Sequence, residues 1–120
     1  MGKTILVAED TRTTRDVVSF LLSSRGYEVL EAVNGVDALQ IMRSRPPDLV
    51  ILDAEMPEKS GYDVFRDMKY DDRCKNIPIL FMVANTDVID VTKSVPAAEF
   101  LVAKPFTAHD LLQRVSQVLG

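Results

Sequence analysis

The stretch Leu49-Val50-Ile51-Leu52-Asp53 decides the fold. Four apolar residues on both alternating faces run into a single carboxylate. A strand covered on both sides reads this way, and such strands belong to parallel sheets flanked by helices. Upstream, Pro46-Pro47 forbids continuation of whatever helix precedes it. Downstream, Pro57 and Gly61 mark a loop, after which Val64, Phe65 and Met68 give a helix its inner stripe.

The same unit recurs on either side. Thr4-Ile5-Leu6-Val7-Ala8 is a short apolar strand that stops at Glu9-Asp10. Thr11 to Thr14 offer capping hydroxyls to a helix whose apolar residues are Val17, Val18, Leu21 and Leu22. Gly26 suits the position just past that helix, where a left-handed backbone costs glycine little. Tyr27 to Ala32 reads as the second strand, and Asn34-Gly35 opens a helix with Ala38, Leu39 and Met42 inward. Ile79 to Val83 is the fourth strand, entered through Pro78, and Phe100-Leu101-Val102 is a short fifth. Residues 108–119 form the last helix, with Thr107 as its cap and Leu111, Leu112, Val115, Val118 and Leu119 on its apolar face. The stretch from Asn85 to Ala98 carries β-branched residues and Pro96, and reads as a short or irregular helix. Strands alternating with helices over the whole length define an α/β fold, a doubly wound five-stranded parallel sheet.

Composition agrees with one domain spanning residues 1–120. The single cysteine, Cys74, permits no internal disulfide and fits a reducing cytosol, so a cytoplasmic location is expected. No apolar run approaches the ~20 residues of a membrane span. The first apolar run is too short for a signal peptide. The formal net charge of −4 argues against direct nucleic-acid binding, which needs a basic patch.

In open α/β sheets, sites lie beyond the carboxyl ends of the strands. Strand one ends at Glu9-Asp10, strand three at Asp53, and strand five runs into Lys104-Pro105. Three carboxylates and one ammonium therefore converge on one end of the sheet. Carboxylates packed together repel and raise one another's pKa unless a cation joins them. Oxygen-only ligands of this kind suit Mg²⁺. A carboxylate beside Mg²⁺ and a lysine can attack phosphorus and form an acyl phosphate.

These residues resemble the response-regulator receiver domain, the phosphoacceptor of two-component signalling. The resemblance covers the whole chain. It rests on Ile5-Leu6-Val7 before Glu9-Asp10, on Leu49 to Asp53, on Met56-Pro57 and Gly61, and on Lys104-Pro105-Phe106. It implies a flavodoxin-like (βα)5 sandwich. It also implies that Asp53 is phosphorylated and that Asp10 and Asp53 ligate Mg²⁺, with the Glu55 main-chain carbonyl as a third ligand. Glu9 stands where the family usually has aspartate and would reach the metal through water. Lys104 would pair with the phosphoryl oxygens, across a cis peptide bond to Pro105, and the Ala84 amide would contact phosphate. The side chains of Glu55 and Asn85 occupy positions that tune dephosphorylation. The implied partners are a histidine kinase or histidine phosphotransfer protein, and a downstream protein target or attached output domain.

Two positions depart from the family. Val83 replaces the Ser or Thr whose hydroxyl contacts the phosphoryl group. Leu101 replaces the switch aromatic, and Phe100 one place earlier points to the opposite face. The span from Val83 to Lys104 is also slightly short.

The remaining polar and aromatic residues have simpler uses. Thr11, Thr13 and Thr14 suit helix capping better than a flavin phosphate loop, because Glu9 and Asp10 would repel phosphate. His109 reads as a surface residue, Cys74 as an incidental loop thiol, and Phe20, Tyr62 and Tyr70 as packing residues. Three functions then stand. The first is a phosphoacceptor that switches a partner-binding face and has no external substrate. The second is a receiver-like interaction module not switched by phosphorylation, because of Val83 and Leu101. The third is an aspartyl-phosphate phosphohydrolase, poorly served by Glu55 and by the lack of room for a cap. The end of the chain at Gly120 fits either a stand-alone regulator or a receiver from a longer protein.

Overall fold

A computed structural model describes residues 2–84 and 101–120. The chain alternates β1 (Thr4–Ala8), α1 (Arg12–Ser24), β2 (Glu28–Ala32), α2 (Gly35–Ser44), β3 (Leu49–Asp53), α3 (Gly61–Met68) and β4 (Ile79–Ala84), then β5 (Leu101–Lys104) and α4 (Ala108–Leu119). The five strands are all parallel, in the order β2-β1-β3-β4-β5. The chain first winds outward from β1 to β2, then crosses back to β3. The reversal falls between β1 and β3, where sheets of this kind open a crevice at their carboxyl ends.

Strand alternation sorts the core into two layers. Leu6, Val50, Leu52, Phe81 and Val83 face α2 and α3. Ile5, Val7, Ile51, Leu80 and Met82 face α1 and α4. All five residues of β3 are buried, as its unbroken apolar run requires.

Local signals set most boundaries. Asn34 and Ser60 cap α2 and α3 through bonds from the Asp37 and Asp63 amides. Thr107 and Asp110 form a reciprocal capping box at the start of α4. Gly26 takes φ +89 just past α1. Gly61 is required by a close approach, since a Cβ there would sit 2.3 Å from the Asp53 carbonyl oxygen. No helix of the described residues is long and apolar enough to cross a membrane.

The structure corrects several sequence expectations. β2 starts at Glu28 rather than Tyr27, and β4 extends to Ala84. β5 covers Leu101–Lys104, because its register pairs Ala84 with Lys104. Phe100 and the helix expected at 85–98 lie outside the described residues. Thr11 holds the cap position of α1, but its side chain makes no capping bond, and Thr13 and Thr14 lie inside the helix. Val17 and Phe20 are not core residues: they are 55% and 73% exposed. Tyr70 is likewise exposed, whereas Tyr62 stacks on Phe81 as a packing residue should. His109 is at the surface, as read. Cys74 lies in the turn between α3 and β4, as read, but its side chain points inward. It is fully buried in the core layer, and burial raises its pKa, which leaves it a poor nucleophile.

Candidate functional site

The carboxyl ends of β1, β3 and β5 meet where the strand order reverses. Each apolar strand ends on the residue that must face the crevice, so the site follows from strand length. Asp53 is the last residue of β3, Lys104 the last of β5, and Glu9-Asp10 follow β1 directly.

Lys104 joins two of the acids. Its Nζ donates to Asp53 Oδ2 at 3.1 Å and to Glu9 Oε2 at 3.2 Å. Glu9 is fully buried and Asp53 nearly so. Both have a second hold. The Thr11 amide donates to Glu9 Oε1, and the Glu55 amide donates to Asp53 Oδ1, each at 3.1 Å. Burial pushes the Glu9 carboxyl above its ordinary value. The Thr11 amide opposes that rise, and the neighbouring Asp53 adds to it. Burial works against the charge on Lys104, but Asp53 and Glu9 together outweigh it and raise its pKa. Lys104 is therefore a firmly held cation. The Lys104–Pro105 peptide bond is cis, as the resemblance implied.

Asp10 completes the cluster differently. It is exposed, and its carboxylate accepts no hydrogen bond from a described residue. One carboxylate oxygen from each of Glu9, Asp10 and Asp53 can lie within 4.8 Å of the others. Three carboxyl groups therefore face one ammonium, with hard oxygen donors only. That donor set fits Mg²⁺ and not a soft transition metal. Glu9, Asp10 and Asp53 are the side chains that would hold it, and the main chain of Glu55 lies against Asp53.

Ala84 sits opposite Lys104 in the β4–β5 register and shares a cavity of about 540 Å³ with Thr13, Thr14, Val17, Lys104, Pro105 and Phe106. Val83 turns the other way. It is 1% exposed and sits in the core layer against which Leu101 packs. Asn85 lies outside the described residues. Sequence reasoning missed one residue at the site. Arg15, on the second turn of α1, donates from Nη1 to the Glu9 carbonyl oxygen at 2.8 Å. An arginine in an amphipathic helix reads as a solvated charge, so nothing in the pattern set it apart.

The fold, the strand order and the acid cluster with its lysine define a receiver domain. The sequence profile described as the response regulator receiver domain matches residues 5–116, and the chain belongs to that family. It is 33% identical to the phosphate regulon transcriptional regulatory protein PhoB of Pseudomonas aeruginosa, over 99% of this chain and 52% of PhoB. It is 28% identical to the polar-differentiation response regulator DivK of Brucella anthropi, over all of this chain and 98% of DivK. The chain thus spans about half the length of PhoB and nearly all of DivK. Among solved structures, a response regulator from Chloroflexus aurantiacus superposes with a TM-score of 0.92 at 31% identity, covering 99% of this chain and 98% of that one. The Vibrio cholerae chemotaxis protein CheY4 superposes at 0.90 with 27% identity, over 99% of this chain and all of that one.

Proposed function

We propose that this receiver takes a phosphoryl group onto Asp53 from a histidine kinase or a histidine phosphotransfer protein, and that the reaction requires Mg²⁺. The observation that carries this is the Lys104 ammonium bridging Asp53 and Glu9 at the switch point. An Asp53 carboxylate oxygen attacks phosphorus in line with the donor imidazole. The new P–O bond forms as the P–N bond breaks, and its electron pair stays on the imidazole nitrogen. Lys104 lies within reach of the equatorial oxygens and balances their charge. The Glu55 amide already holds the other Asp53 oxygen and fixes the direction of attack. Bound at Glu9, Asp10 and Asp53, Mg²⁺ would neutralise phosphoryl charge and orient the incoming group.

The chain catalyses its own phosphorylation and dephosphorylation and turns over no external substrate. Its output is a partner-binding face, read by a downstream protein or an attached output domain, in the cytoplasm and without direct contact to nucleic acid. A second reading is favoured by one observation. Val83 and Leu101 are apolar and packed in the core, so the hydroxyl that would sense phosphate is missing. On that reading the chain is an interaction module whose face phosphorylation does not switch.

Acetyl phosphate with and without Mg²⁺, followed by intact-mass spectrometry, tests the proposal. Wild type gains one phosphoryl group only with Mg²⁺, and Asp53→Asn gains none. Equal incorporation by Asp53→Asn overturns it. Steady hydrolysis of simple phosphate esters would instead make the chain a phosphohydrolase.

A further inference from the structure

The three acids of the cluster are not held alike. Glu9 is fixed at four points: its amide donates to the Ala32 carbonyl at 3.1 Å, its two carboxylate oxygens take Thr11 and Lys104, and its carbonyl takes Arg15. Asp53 is fixed by Glu55 and Lys104. The exposed Asp10 carboxylate has no such hold among the described residues. Its position depends on its backbone alone. The peptide between Glu9 and Asp10 is a rigid plane, so pinning its carbonyl sets the backbone angle on either side. The side chain that pins it is Arg15, half-buried, at 2.8 Å. Arg15 makes no ion pair with a described residue, so this carbonyl is the partner the structure shows for it.

We propose that Arg15 is a positioning residue for the cation site, holding the Glu9–Asp10 peptide so that Asp10 meets the metal together with Asp53. This rests on the Mg²⁺ reading above. Charge alone predicts the opposite effect. A guanidinium near three carboxylates repels a divalent cation, so removing it by electrostatics alone would tighten binding. Loss of positioning weakens binding. The sign of the change therefore separates the two roles.

Titration of Mg²⁺ into the unphosphorylated chain, by calorimetry, reads the affinity with no phosphoryl donor present. Arg15→Met keeps the side-chain stem and removes both charge and donors. It is expected to weaken Mg²⁺ binding by about 10-fold or more, the usual effect of losing a group that orients a metal ligand. Arg15→Lys restores the charge and one donor and is expected to recover most of the affinity. Arg15→Leu, also without charge or donors, serves the same purpose if Arg15→Met does not fold. Mg²⁺ binding by wild type with equal or tighter binding by the charge-free variant overturns this inference alone. No Mg²⁺ binding by wild type overturns the Mg²⁺ reading, and this inference with it.

Discussion

β3 and β4 are hydrogen-bonded neighbours, and their carboxyl ends are opposite in character. β3 ends on Asp53, which faces the crevice and is held by the Glu55 amide and the Lys104 ammonium. β4 pairs Met82 with Asp53, and the next residue, Val83, turns into the core layer beside Leu101. The difference lies in residue type: Met82, level with Asp53, is apolar and buried in the layer facing α1 and α4, and alternation puts Val83 in the opposite core layer. It also separates two tasks. Assembling the acid cluster needs the ends of β1, β3 and β5. Passing a signal from phosphate through the family's hydroxyl and aromatic needs β4 and position 101. In this chain the first set is complete and polar, and the second is apolar.

Removing Lys104 should break the polar end most severely. Lys104→Met leaves Glu9 and Asp53 facing each other without their cation and takes away the charge nearest the phosphoryl oxygens. Phosphoryl incorporation from acetyl phosphate should slow on the order of 100-fold. An unchanged rate in a time course would show that the bridge seen here takes no part in the reaction.

Gly61→Ala tests how closely the pocket is built. The added methyl would meet the Asp53 carbonyl oxygen at 2.3 Å and the Ala54 Cα at 2.9 Å. Backbone on both sides cannot yield as a side-chain tip can. Urea unfolding should show a loss of about 1–3 kcal/mol.

Val83→Thr probes the apolar end of β4. It is nearly isosteric, but it puts a hydroxyl in a layer lined by Phe81, Val64 and Leu52. The cost should be about 1–2 kcal/mol in the unphosphorylated protein, again by urea unfolding. No loss would mean that the end of β4 already offers a polar partner, and the contrast with β3 would fall.

The smallest effect lies outside both strand ends. A hydrogen bond and ion pair from Lys59 hold the Asp67 carboxyl below its ordinary 3.8. The unfolded chain then binds the proton more readily. The contribution is full above 3.8 and is lost as pH falls below it. Asp67→Asn should cost at most about 1 kcal/mol at neutral pH. The gap between it and wild type should close below about pH 4. A gap that persists in acid would mean that the pair's charge contributes nothing.

The fold was legible because each strand of the core announces itself. Leu49 to Asp53 is apolar on both faces, and Pro46-Pro47, Asn34-Gly35 and Thr107 mark helix ends that the structure reproduces. Glu9, Asp10, Asp53 and Lys104 could be grouped because topology alone brings those strand ends together. What escaped depends on side-chain reach and on which face a residue takes. Phe20 and Val17 have the right spacing but lie outside the narrow buried stripe of Val18 and Leu22. Cys74 sits among charged residues, yet the Asp71–Arg73 turn, tied to Arg43, tucks it inward. Arg15 reaches back six residues to a carbonyl, a contact with no sequence signature.

Beryllofluoride, a mimic of the phosphoryl group, added with Mg²⁺ and read by amide chemical shifts, shows whether the acid cluster and Lys104 take a phosphoryl group. Large shifts are expected at Glu9, Asp53, Ala84 and Lys104 that require both Mg²⁺ and beryllofluoride. Shifts that extend to Leu101 would mark a face that still responds, and shifts that stop at the pocket would mark the unswitched module. No shift at Asp53 and Lys104, or the same shifts without Mg²⁺, would mean that this cluster is not a Mg²⁺-dependent phosphoacceptor site.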